Sequence, residues 1–233
     1  MKIVIYIYPG MTMLDAIGPY EVLRNMPGAE VIMVAKKKGE VPADTNMVHL
    51  LAKHELSEVQ QADVLLIPGS TVAFIREMKD KAVLEWIRTM DAHTQFTVSV
   101  CTGSLILAAT GLLQGKSATS HWKPIGMLRH FGVKSISARM VQQGKYITAA
   151  GVSAGIDMAL HLVSKLAGEE TAQAAQLGIE YDPDPPFQMG HPSKASKQVI
   201  QLAEAQMERD ARKDLSLWEM LKHARSLWKL RQS

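Results

Sequence analysis

The sequence contains one cysteine, Cys101, in 233 residues. No intrachain disulfide can form, so nothing points to an oxidising compartment. The eight histidines are scattered, and no Cys/His cluster offers the ligand spacing of a structural zinc site. No apolar run is long enough to span a bilayer. The opening "MKIVIYIYPG" sets one Lys before a short apolar run that meets Pro9 and Gly10, which is unlike a secretory signal. A cytoplasmic protein without a membrane partner is therefore expected. Charge of one sign is scarce too, with a formal net charge of +3. Residues 193 to 233 hold nine Lys/Arg against five Asp/Glu, so the remainder is close to neutral and no nucleic-acid partner is expected. Internal repeats and low-complexity segments are absent.

What is present is a globular composition, 47% apolar and 21% charged, in a length that suits one sizeable domain with an appendage. Apolar runs alternate with helical patterns. The strand-like runs are "KIVIYIY" (2–8), "AEVIMVA" (29–35), "DVLLIPG" (63–69), "FTVSVC" (96–101) and "KYITAAG" (145–151). Runs so continuously apolar suit strands covered on both faces, and the alternation predicts an α/β fold with a doubly wound, mostly parallel sheet between helix layers. "GPYEVLRNM" is expected to open a helix with Pro19 in its first turn. "KAVLEWIRTM" spaces Val83, Leu84, Ile87 and Met90, and "AGIDMALHLVSKLAG" spaces Ile156, Leu160, Val163 and Ala167, ending at Gly168. The proline-rich "EYDPDPPFQMGHP" (180–192) closes a catalytic domain over 1–192. A helical extension over 193–233 follows, whose Leu217, Leu221, Ala224 and Trp228 share a stripe.

Cys101 stands where an apolar strand gives way to a helix, with small Gly103 and Ser104 just after it. That is the logic of a nucleophile elbow at the carboxyl edge of a sheet, where open α/β folds hold their ligands. A helix beginning near Thr102 would favour the thiolate. The competing local reading is a buried thiol acting as a small hydrophobe. Asp15, alone in an apolar stretch, is either a helix-start carboxylate or an acid whose pKa is raised by burial beside Met13, Leu14 and Ile17. Pro68-Gly69-Ser70 is either an ordinary turn or a source of N–H groups for developing negative charge. His121 beside Trp122 is either structural or a base.

Taken together, "LDAIGPYEVL", "SVCTGSLILAATGLLQGKSATSHW", "AAGVSAGIDMALHLV" and "AAQLGIEYDPDPPFQMGHP" resemble the ThiJ/PfpI superfamily, and within it the isonitrile hydratase group, over most of residues 1–192. The resemblance implies a flavodoxin-like, class I glutamine amidotransferase-like sandwich, a homodimer, no metal or organic cofactor, and a cysteine nucleophile in a strained elbow. It implies catalytic roles for Cys101, Asp15 and Thr102, with Gly69, Ser70 and Gly103 binding substrate or an oxyanion. The expected reaction is hydration of a small-molecule isonitrile to an N-substituted formamide through a cysteine thioimidate. The alternatives are a cofactor-independent glyoxalase or deglycase, or a non-enzymatic redox sensor. Many relatives place a glutamate where Asp15 stands and a histidine after the cysteine, where Thr102 stands. The chain departs from the pattern in two places: Ser70 replaces a common glycine, and Ala149 and Ala150 stand in a usually glycine-rich stretch.

Overall fold

The computed structural model describes residues 1–214. In chain order its elements are β1 (Lys2–Tyr6), α1 (Met13–Leu23), β2 (Glu30–Ala35), β3 (Gly39–Pro42), β4 (His49–Ala52), β5 (His54–Glu55), β6 (Val64–Ile67), α2 (Phe74–Glu77), α3 (Lys81–Asp91), β7 (Phe96–Val100) and α4 (Gly103–Ala109). Then come β8 (Ser117–Ala118), β9 (Lys134–Ser135), β10 (Met140–Gln143), β11 (Tyr146–Ala149), α5 (Ala154–Ala167), α6 (Glu169–Gly178) and α7 (Lys197–Asp214). The main sheet has seven strands in the order β10-β11-β7-β6-β1-β2-β5. All its pairings are parallel except β10 with β11. Two small sheets, the β3–β4 hairpin and the β8–β9 pair, lie apart from it.

The central strands are apolar because they have no solvent face. Ile3, Val4 and Ile5 of β1 and all four residues of β6 are buried. All five apolar runs form strands of this sheet, each shorter than its run. The residues trimmed from the ends of β1, β6, β7 and β11 are the turns beyond the carboxyl edge. From β1 the chain winds first to β2 and later to β6 on the other side. The topological switch therefore lies between β1 and β6, where such sheets open a crevice.

Two helices depart from expectation. α1 begins at Met13, so Asp15 lies within its first turn and Pro19 lies inside the helix. Pro19 has no N–H for the carbonyl four residues back, which is that of Asp15. Close packing explains its place: a Cβ on Gly155 of α5 would come within 3.2 Å of the Pro19 ring and 3.1 Å of Val100. In α5 the buried face is Ala154, Gly155, Met158, Ala159, Leu162 and Val163, whereas Ile156 and Leu160 are only half-buried. α3 starts at an N-cap, with Asp80 accepting from the N–H groups of Ala82 and Val83.

The chain divides into compact units at Asp182, inside the proline-rich break and ahead of the expected boundary at 192. The first unit carries the sheet. The second contains α7, whose Val199 and Leu202 are exposed. The stripe of Leu217, Leu221, Ala224 and Trp228 lies outside the described residues. Among the described residues no helix is long and apolar enough to cross a membrane.

Candidate active site

Because β1, β6, β7 and β11 run parallel, their carboxyl ends meet at one edge, and the segments that follow them converge there. Cys101 follows β7 directly. Its φ is +58°, a left-handed conformation that costs a non-glycine residue roughly 1–2 kcal/mol. The strain is held from both sides of the residue. The Cys101 N–H donates to Ala149 O at 3.0 Å, and the hydroxyls of Ser104 and Ser120 each donate to Cys101 O at 3.1 Å. The elbow thus keeps the thiol at a fixed place, 5% exposed, at the edge of the sheet.

The two neighbouring glycines are fixed by space. A Cβ on Gly103 would lie 2.1 Å from the carbonyl oxygen of Ile67, and one on Gly69 would lie 2.5 Å from the Thr102 nitrogen and 2.9 Å from Asp15 Oδ2. The turn after β6 and the elbow after β7 can touch only because both positions lack side chains. Ser70 does not need a glycine conformation, since its φ is not positive.

Asp15 is fully buried. Its Oδ2 accepts the Gly69 N–H at 2.9 Å, while Oδ1 has no hydrogen-bond partner. Burial pushes its carboxyl up from 3.8 to about 7, against the pull of the Gly69 N–H and the nearby Cys101 thiol, with Asp44 adding a little to the rise. The α1 N-cap is Thr12 and Asp15 makes no capping bond to a helix N–H, so Asp15 is a first-turn carboxylate, not a cap, and its one hydrogen bond runs out of the helix to Gly69.

Cys101 corrects an expectation. A helix start near Thr102 predicts a favoured thiolate, but burial pushes the thiol well above its usual 9.0. The Asp15 charge adds to that rise, and the Thr102 N–H and hydroxyl oppose it. α4 has only seven residues and begins at Gly103, too little dipole to offset the loss of water around a buried sulfur. The resting cysteine is a thiol beside a carboxyl that titrates near neutrality.

A second correction concerns the expected oxyanion donors. The Gly69 N–H is spent on Asp15, and the Ser70 N–H donates to Thr102 Oγ1 at 2.8 Å. That hydroxyl in turn donates to Ser70 O at 2.8 Å. Pro68-Gly69-Ser70 therefore orients Asp15 and Thr102, and the Thr102 N–H is left to face the sulfur. His121 is apart from this network. Its Nδ1 faces the Lys123 N–H at 3.4 Å, its ring lies against Trp122, and burial lowers its pKa, so it is neutral.

Sequence reasoning missed Ser120, Tyr8 and Asp44. Ser120 stands in "SATSHW", where attention falls on His121. Tyr8 is the polar-tipped end of the first apolar run, and Asp44 sits at the tip of an unforeseen hairpin, with its N–H on Met11 O at 2.9 Å. Among the described residues, no group of three or more His, Cys, Asp or Glu side chains is placed to hold a metal ion.

The Cys101 elbow after β7 and the buried Asp15 carboxyl of α1 are thus joined through the turn after β6. The DJ-1/PfpI family pattern matches residues 1–165. The chain belongs to the DJ-1/PfpI family. It is 38% identical over 200 residues to an isonitrile hydratase of Pseudomonas putida, covering 86% of this chain and 87% of that one. A ThiJ/PfpI family protein from Pseudomonas syringae superposes with a TM-score of 0.82 at 35% identity, over 90% of this chain and 88% of that one. DJ-1beta of Drosophila melanogaster shares the fold, with a TM-score of 0.71 at 23% identity over 77% of this chain and 97% of its own.

Proposed function

We propose that the protein is an isonitrile hydratase, a lyase that adds water to an isonitrile through Cys101. The observation that carries this reading is the buried pair: an unpartnered Asp15 Oδ1 in a carboxyl titrating at about 7, beside a thiol held in a strained elbow. The similarity to the Pseudomonas putida isonitrile hydratase supports the choice of substrate.

In the reactive form the pair holds one proton. Sγ attacks the terminal carbon of the isonitrile while that proton, relayed by Asp15, goes to the same carbon. The carbon–nitrogen triple bond becomes double, giving a thioimidate, and Asp15 is left ionised. It then takes a proton from water as the water oxygen adds to the thioimidate carbon, and delivers that proton to the nitrogen. Loss of the hydroxyl proton collapses the adduct, the carbon–sulfur bond breaks, and sulfur is reprotonated. The products are an N-substituted formamide and the free thiol. The Thr102 N–H stabilises sulfur as charge develops on it, and no step calls on a metal or an organic cofactor.

A homodimer is part of this reading, supported by the exposed Met47, Val48 and Leu51 of the β3–β4 hairpin region, an apolar surface that a second copy would cover. The test of function is a comparison of formamide production from an alkyl isonitrile with consumption of methylglyoxal, each against Cys101→Ala. Formamide production lost in the variant is the expected result. Methylglyoxal loss alone would favour a glyoxalase, and neither reaction would favour a redox sensor.

A further inference from the structure

The turn that holds Asp15 and Thr102 must itself be held, and its polar groups show how. Gly69 N–H is on Asp15, Gly69 O accepts the Thr12 N–H at 2.9 Å, and Ser70 N–H and O are both on the Thr102 hydroxyl. The remaining carbonyl, that of Pro68, accepts from the Tyr8 hydroxyl at 3.0 Å. Tyr8 lies just beyond β1 and is buried. The Ser70 hydroxyl, which faces it, accepts the Phe74 N–H at 2.6 Å and anchors the far side of the same turn.

Burial pushes the Tyr8 phenol well above its usual range, Glu77, Asp15 and Cys101 adding to the rise and the Ser70 hydroxyl opposing it. The group therefore keeps its proton and acts as a fixed donor, neither acid nor base. Packing alone does not call for a hydroxyl here, because a phenyl ring would fill the same space.

We propose that Tyr8 is a positioning residue: through the Pro68 carbonyl its hydroxyl fixes the turn that sets Asp15 and Thr102 against Cys101. The proposal rests on the reading of Asp15 and Cys101 as the reacting pair and is independent of which substrate they attack.

The test compares Tyr8→Phe with Tyr6→Phe. Tyr6, the last residue of β1, is an equally buried tyrosine, its ring stacked 5.5 Å from that of Tyr8, but its hydroxyl donates to Glu77 at 2.6 Å and does not reach the turn. Two readouts are taken: kcat and KM for formamide production, and the pH dependence of Cys101 alkylation by iodoacetamide. Tyr8→Phe is expected to lower kcat about 10- to 100-fold with little change in KM, as a displaced catalytic group does. It should also move the Asp15-linked inflection in the alkylation profile above about 7, because a loosened turn withdraws the Gly69 N–H from the carboxylate. The other titratable groups facing Asp15, which are Asp44 from the hairpin and Cys101 from the elbow, are the same in both variants. Tyr6→Phe should leave kcat and the inflection at parental values despite a similar loss of a buried bond.

A parental profile and kcat in Tyr8→Phe, or equal changes in both variants, would overturn the positioning role. If the parent does not turn over isonitrile, the substrate assignment fails while the alkylation profiles still decide the role of Tyr8. Should Tyr8→Phe not fold, Ser70→Ala removes the turn's other side-chain anchor with Tyr8 in place. It should shift the inflection the same way, and a parental profile there would equally overturn the proposal.

Discussion

Replacing Asp15 by Asn separates what the carboxyl does for chemistry from what it costs the fold. Asp15 is fully buried and titrates at about 7 in the folded protein, against 3.8 in an unfolded chain. Below about pH 4 both states hold the proton and there is no penalty. As pH rises the unfolded chain ionises first, so stability is lost progressively and the loss is complete above about pH 7, where it amounts to roughly 4 kcal/mol. Asn keeps an acceptor for the Gly69 N–H but buries an amide NH2, which costs about 1–3 kcal/mol. At about pH 8 the variant should therefore be more stable by about 2 kcal/mol, a rise of about 4–8 °C in melting temperature for a chain of this size. At about pH 4, where the parent carries almost no penalty, the variant should instead be less stable by the cost of the amide, about 1–3 kcal/mol. Turnover of isonitrile should fall by roughly 10²–10⁴-fold, because the amide cannot relay a proton. Thermal melts at the two pH values and a formamide assay check both halves. A variant less stable than the parent at about pH 8, or one that retains kcat within about threefold, would refute the reasoning.

Gly103→Ala should cost at least about 3 kcal/mol or prevent folding, since its Cβ would meet the Ile67 carbonyl at 2.1 Å; urea unfolding measures it. Alkylation of Cys101 by iodoacetamide should keep accelerating above about pH 9 in the parent, because burial holds the thiol above its usual value. In Asp15→Asn the rise should begin at lower pH, since the carboxylate that opposes the thiolate is gone; mass spectrometry of the alkylated peptide follows both. The rate of isonitrile hydration should increase with pH through about 7 as Asp15 ionises and can take the thiol proton, which a pH profile of kcat/KM reads directly.

The five apolar runs are legible as parallel strands because a strand covered on both faces has no alternative composition. The edge strands β5 and β10 and the β3–β4 hairpin escape notice, because their half-exposed residues carry no such run. The elbow at Cys101 is legible from the small residues that follow it. The protonation state of its thiol is not, because depth of burial is a property of the packed sheet edge. α1 is misplaced at its start because Pro19 suggests a first turn, whereas the fold uses its ring against Gly155. The oxyanion reading of Gly69 and Ser70 fails for a related reason. A turn's free N–H groups can be counted from sequence, but the partners that claim them come from segments far away along the chain, Asp15 and Thr102.

The central claim is that Cys101 forms a covalent thioimidate on the way to a formamide. Rapid-quench mass spectrometry of the intact protein mixed with an alkyl isonitrile tests it most directly. The account predicts a transient gain equal to the mass of one isonitrile, located on the Cys101 peptide, that decays as formamide appears and is absent in Cys101→Ala. Formamide made at the parental rate by Cys101→Ala, or an adduct at Cys101 that never releases formamide, would contradict it.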